Sequence, residues 1–298
     1  MAAKLIIVRS LMPLLLLLPW AVLSAIPTMG QSAPSAPPAL TLPQAQALVE
    51  RALASELHSA QDTTHPMRFL LRKSSPRLTS TKEIIETKDG DVARLLALFD
   101  KPLSPAEEQW EQARLDGLLS DPSRQRHRKQ GEEGDMGIVL KLLRMLPEAF
   151  FYQYAGAESG PAGTVQKFTF RPNPNFSPPD FETRALTALN GDIWIDNVLE
   201  RVSRLEGHLQ QDTDYGWGIL GKLDKGGWIV IEQAEVGGSQ WRIVRFKMKM
   251  NLRVLFKNKS FDTMEEMTQY APVPVGIDYR QAIQMLRAVP GSTAQASP

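Results

Sequence analysis

Gly216, Gly218 and Gly221, within "DYGWGILGKLDKGGWIVIEQAEVG", spell G-x-G-x-x-G. Dinucleotide-binding folds use this pattern to cradle a pyrophosphate, and Glu235 lies where a ribose-binding acid would stand. The chemistry depends on context. A buried strand must precede the glycines, and a helix N-terminus must follow them to hold the anion. Here the preceding "HLQQDTDY" is polar, and Gly226-Gly227 make a turn before the apolar run that opens at Trp228. No useful helix fits between. The glycines read as bends or bulges in a sharply curved strand, and no nucleotide is expected.

Other reactive types also lack partners. His58, His65, His127 and His208 fall in no metal-ligand spacing such as H-E-x-x-H. "DTDYG" from Asp212 resembles the start of a calcium loop, but its closing glutamate position holds Leu223. There is no G-x-S-x-G elbow and no phosphate-binding loop of the Walker type. The chain has no cysteine, which removes thiol nucleophiles, thiolate metal sites and lipoprotein acylation. The expectation is no catalytic residue, no metal site and no cofactor. A hydrolase with an unrecognised site is the third-ranked reading.

The strongest periodic signal is apolar. Val244, Phe246, Met248, Met250, Leu252, Val254 and Phe256 alternate with Arg245, Lys247, Lys249, Asn251 and Arg253. Period two places the apolar set on one sheet face and the basic set on the other. The run is long for one strand, so a fold-back near Met250–Leu252 is expected. Tryptophans gather in the same half, at Trp194, Trp217, Trp228 and Trp241. Large rings there either line a ligand cleft or fill the gap between a curved sheet and its helices.

These residues need elements to hold them. "AQALVERALASEL" places Ala45, Leu48, Val49, Leu53 and Leu57 on one helical stripe, with charge on the other side, as in a surface helix. "MRFLLRKSS" is a strand, and Asp89-Gly90 marks a hairpin with a type I′ turn. Ser104, Pro105 and Glu107 open a helix with a capping box. "GIVLKLLRMLP" is apolar nearly all round, as a short buried helix would be. Between these helices "PSRQRHRKQGEEGD" reads as a mobile connector rather than a phosphate or lipid patch, its bases offset by Glu132, Glu133 and Asp135. From Glu148 onward strands dominate. Asn190-Gly191 is read as the turn between two of them, and "DYRQAIQMLRAV" as a closing helix.

The start of the chain is a targeting segment by its layout. Residues 1–25 carry Lys4 and Arg9, a leucine run broken by Pro13 and Pro19, and small residues at Ser24 and Ala25. This is a secretory signal peptide, with an uncleaved anchor as the alternative. Residues 26–43 form a Pro/Ala-rich tether. Residues 44–289 form one domain with a helical insert at 104–146, and 290–298 a disordered tail. Lys and Arg number 34 against 33 Asp and Glu, a balance that argues against nucleic acid as a partner. Export without disulfides fits a bacterial periplasm.

The series "NGDIWIDNVLERVSRLEGHL", "GWGILGKLDKGGWIVIEQAEV", "SQWRIVRFKMKMNLRVLF" resembles the second half of the periplasmic lipoprotein-carrier fold. That fold is shared by the lipoprotein-localisation carrier and envelope sigma-factor regulators. The likeness runs in element order from Leu48 to Phe261, and 104–146 and "RPNPNFSPPDF" are additions to it. The resemblance implies an α+β fold, a strongly curved antiparallel β-sheet or half-barrel wrapped around helices, whose concave apolar face takes acyl chains. It implies a lipid or lipoprotein partner. Trp194, Trp228, Val244, Phe246, Met248 and Met250 are the expected lining. The alternative is a protein-interaction or sensor module of the same fold, with a filled core and an envelope protein as partner.

Overall fold

Alternating apolar and polar residues build strands through most of the chain, and the strands join one sheet. A computed structural model describes residues 40–160, 163–215, 221–254 and 257–288. The elements are α1 (Leu42–Gln61), β1 (Met67–Ser74), β2 (Thr79–Ile85), β3 (Val92–Leu98), β4 (Lys101–Pro102), α2 (Pro105–Ser120) and α3 (Pro122–Ala149). There follow β5 (Phe150–Gly160), β6 (Gly163–Pro172), the short α4 (Phe181–Arg184), a 3-10 turn (Ala185–Ala188), β7 (Leu189–Asp196), β8 (Val202–Leu209), β9 (Thr213–Tyr215) and β10 (Gly221–Leu223). The chain continues through β11 (Trp228–Glu235), β12 (Trp241–Val254), β13 (Lys257–Pro272) and α5 (Tyr279–Ala288).

The 13 strands run in the order β4-β3-β2-β1-β13-β12-β11-β8-β7-β6-β5, with β9 and β10 paired beside β12. The sheet is antiparallel, curved and not closed, so the fold is an α+β half-barrel. On its inner face Phe150, Phe168, Phe170, Ile193, Ile195 and Val202 pack against Leu48, Val49 and Leu53 of α1. Farther along that face Phe69, Phe246, Met248, Phe261 and Met267 form a second cluster. A third lies around β2 and β3, where Ile85 and Val92 meet Leu115 and Leu118 of α2 and Ile283 and Leu286 of α5.

The outer face is held by charge in register. Arg72, Glu266, Arg245, Glu232 and Arg204 sit opposite one another on β1, β13, β12, β11 and β8. Their ion pairs span 3.2, 3.6, 2.8 and 2.9 Å along that row. These pairs are partly exposed, so each contributes at most about 1 kcal/mol. Their chief effect is to keep this face wet and the register fixed, because a one-residue slip would turn the charges into the bowl.

A sheet left open has edges to protect. The Glu111 carboxylate of α2 is buried; it accepts from the backbone N–H of Leu95 at 2.8 Å and pairs with Arg114 at 2.7 Å. Arg114 in turn donates to the carbonyl of Ala93 at 2.5 Å. The helix thus satisfies β3 as a further strand would. Glu111→Ala is expected to cost about 3 kcal/mol, since it leaves the Arg114 charge without its carboxylate and the Leu95 amide without its acceptor; urea unfolding would measure it. The opposite edge, β5, is broken by a bulge between Tyr154 and Gly156, where Gly156 has φ of 120°.

Several expectations need correction. The connector before "GIVLKLLRMLP" is helical, and α3 runs unbroken for 28 residues. Only Gln125 and Ala149 of it are buried. Helix α2 packs with α5 at the β3 edge, and α1 lies inside the bowl, not on its surface. The α1 helix begins at Leu42, inside the stretch read as tether. Asn190-Gly191 lies within β7 and makes no turn. Strand β12 continues through Met250 and Leu252 to Val254, which pairs with Lys257, so the fold-back falls after Val254. The β2–β3 connection is a hairpin, but only its Gly90 has positive φ, so it is no type I′ turn. The signal segment 1–25, most of the tether and the tail 290–298 lie outside the described residues.

Candidate ligand cavity

Helix α3 decides what the bowl contains. Its second half is apolar on nearly every side, yet it is not packed away. Leu142, Met145 and Leu146 rest partly buried on the α1 cluster. Between this half and the middle of the sheet lies a cavity of about 1160 Å³. Ligand pockets for small molecules span roughly 300–1,000 Å³. The sheet wall is Ile193, Leu205, Ile229, Ile231, Ile243 and Phe246, and the helix wall includes Leu140, Leu143 and Leu146. Phe150, Tyr152 and Phe170 also line it, their rings packed on one another.

The polar lining comes from the end of α1 near Thr63, the β2–β3 loop at Thr87, Lys88 and Asp91, and the middle of α3 at Lys129, Glu132 and Asp135; Thr63, Lys88 and Asp135 are exposed, Asp91, Lys129 and Glu132 half-buried and Thr87 buried. Apolar walls with one polar rim suit a long hydrocarbon chain whose other end stays wet. The rim is tied down from α3. Gln125 donates to the carbonyl of Gly90 at 3.1 Å, Arg128 to that of Asp91 at 3.2 Å and Lys129 to that of Lys88 at 3.0 Å. Glu132 accepts from the Asp91 amide at 2.8 Å. The basic run therefore clasps a loop.

At the other end Lys141 holds Asp180 at 2.7 Å, fixing α3 to the segment before β7. The Lys141 ammonium and the Thr183 amide push the Asp180 carboxyl down to about 2. Tyr152 donates to the Leu146 carbonyl at 3.1 Å, and burial pushes its phenol up.

Glu265 stands opposite Phe246 on the inner face and pairs with Lys73 at 2.6 Å. Burial pushes its carboxyl up, against the pull of Lys73. A folded-state value above the unfolded one means the native state holds this proton more tightly. Glu265 then adds stability at low pH that is lost as pH rises from about 4.5 through the raised value. Glu265→Gln is expected to flatten that part of the stability curve, read from thermal midpoints across pH 4–8.

The six residues expected to line the site separate. Phe246 lines the cavity. Met248 is buried and Met250 half-buried on the same face, within the neighbouring cluster. Val244 sits at a bulge: Glu232 pairs with Arg245, but Gln233 pairs with Ile243. The extra residue shifts the alternation, and Ile243 takes the inward place. Trp194 lies on the outer face, its indole N–H donating to Glu158 at 2.9 Å with Lys167 4.7 Å above the ring. Trp228 borders an outer groove with Lys247 and Asp262. Trp241 is buried and donates to the Val202 carbonyl, while Trp217 lies outside the described residues.

Sequence reasoning passed over Leu205, Ile229, Ile231 and Ile193, whose runs alternate less cleanly than β12: Trp228-Ile229-Val230-Ile231 is apolar at four successive positions. Gly221 begins β10 and no helix follows it, so the dinucleotide arrangement is not formed there; Gly216 and Gly218 lie outside the described residues. Among the described residues no group of His, Asp or Glu is placed to hold a metal. His65 pairs with Asp62 at 2.6 Å.

No family model matches the chain, and no curated protein matches it. Two solved structures are similar at low superposition. One is a domain described as outer membrane lipoprotein-sorting from Vibrio parahaemolyticus, at 11% identity and TM-score 0.28, covering 80% of this chain and 99% of that one. The other is a DUF1329 family protein from Desulfovibrio piger, at 10% identity and TM-score 0.30, covering 78% of this chain and 95% of that one. Likeness at that level carries no functional argument.

Proposed function

We propose that this chain is an exported, non-catalytic envelope protein that holds an acyl chain, free or on a lipidated partner, between α3 and the concave sheet face. The cavity carries this reading: its long walls are aliphatic and aromatic, and its polar residues gather at the solvent end. A folded chain rarely leaves such a volume between a helix and a sheet without a ligand to fill it, because packed interiors tolerate few voids larger than a water. The rim carries both signs, Lys88 and Lys129 standing among Asp91, Glu132, Glu133 and Asp135.

Export rests on the layout of residues 1–25, and no helix among the described residues is long and apolar enough to cross a membrane. The first test is titration of the purified chain with a fluorescent sixteen-carbon fatty acid. Saturable binding, displaced by unlabelled fatty acid, is expected. No saturable uptake and no lipid extracted from the purified protein would refute the reading and leave a protein-interaction role.

A further inference from the structure

Helix α3 crosses the cavity as a strap fastened at both ends. Its first turns are clasped to the β2–β3 loop through Gln125, Arg128 and Lys129. Its last residue, Ala149, is buried, and Lys141 is paired with Asp180. Between the fastenings lie Gly131, Gly134 and Gly137. A methyl group built on any of the three meets nothing within 4 Å. Close packing therefore does not explain them, and neither does backbone shape, since none has positive φ. Each weakens the helix relative to alanine and gains no contact in return. The two turns they span carry Met136, which lines the cavity, and lead into Ile138 and Val139, which also line it.

We infer that residues 131–137 are the point at which the strap melts or bends to admit a ligand, so that the cavity is entered by local opening of α3, with Glu132 released from the Asp91 amide, while the clasp through Gln125, Arg128 and Lys129 and the Lys141–Asp180 pair hold. This inference rests on the acyl-binding reading for its purpose. A helix with weak residues between anchored ends opens there first, as a sub-global fluctuation.

The experiment uses the full folded chain and the variant Gly131→Ala/Gly134→Ala/Gly137→Ala. Amide hydrogen exchange of the wild type should be fastest within α3 at 131–137, and slower in the variant. Stopped-flow mixing with a fluorescent sixteen-carbon fatty acid should show uptake and release both slowed ten- to a hundredfold. The equilibrium affinity should change far less than either rate. Exchange at 131–137 as slow as at the two ends of α3 would overturn the hinge. So would rates within twofold of wild type in a variant whose exchange is slowed. If the wild type takes up no acyl probe, the acyl-binding reading fails by that result. Hydrogen exchange alone then decides whether the segment opens.

Discussion

Replacing Leu143 and Ile231 together by tryptophan is expected to lower the affinity for a sixteen-carbon fatty acid at least about a hundredfold, while the chain stays folded. These residues face the cavity from the helix and the sheet. Two indoles would occupy volume now open to a ligand, and an affinity factor of a hundred corresponds to about 2.7 kcal/mol of lost contact and desolvation. In a packed core the same change would overpack and cost about 1–3 kcal/mol per site. Into an open cavity it should leave the thermal midpoint unchanged or higher. Fluorescent-fatty-acid titration and a thermal melt on the same sample check both parts. A matched pair on the outer face, Trp194→Phe and Trp228→Phe, should leave affinity untouched, because neither ring reaches the cavity.

The second large effect concerns folding. Gly191 lies in β7 opposite Gly207 of β8, and a Cβ there would stand 1.8 Å from the Glu206 carbonyl oxygen and 2.7 Å from the Phe170 ring. Backbone on one side and a buried aromatic on the other leave nothing to yield. Gly191→Ala is expected to cost at least about 4 kcal/mol, beyond the range of ordinary substitutions, and to reduce soluble yield sharply. Gly131→Ala should do the reverse, raising the melting temperature slightly, since it adds helix propensity worth up to about 1 kcal/mol and meets no neighbour. Denaturant titration of the two variants side by side separates a glycine kept for space from one that is not.

The sheet was legible because period two is a local property. Phe246 and Lys247 read as opposite faces, and in the fold one is buried in the bowl and the other borders an outer groove. The capping box at Ser104 was equally local; its hydroxyl accepts from the Glu107 amide. What failed was non-local. Asn190-Gly191 has the composition of a turn, and only the approach of Glu206 from a neighbouring strand explains the glycine inside β7. The basic connector reads as mobile in isolation; it becomes helix because loop carbonyls at Lys88, Gly90 and Asp91 accept from its side chains. The inward face of β12 holds from Phe246 to Leu252, but a one-residue bulge exchanged Val244 for Ile243. The two tryptophans were misplaced because ring size says nothing about which sheet face a residue occupies. The aliphatic strands that form most of the wall lacked any mark to distinguish ligand contact from plain core.

The most direct measurement is a crystal structure with a sixteen-carbon fatty acid brominated at its methyl end, located by anomalous scattering. The bromine is expected among Ile193, Leu205 and Leu146, with the carboxyl end at the rim near Lys88 and Asp135. Bromine bound only at the outer surface, or a bowl in which α3 has collapsed onto Ile229 and Ile231 and left no room, would contradict the account.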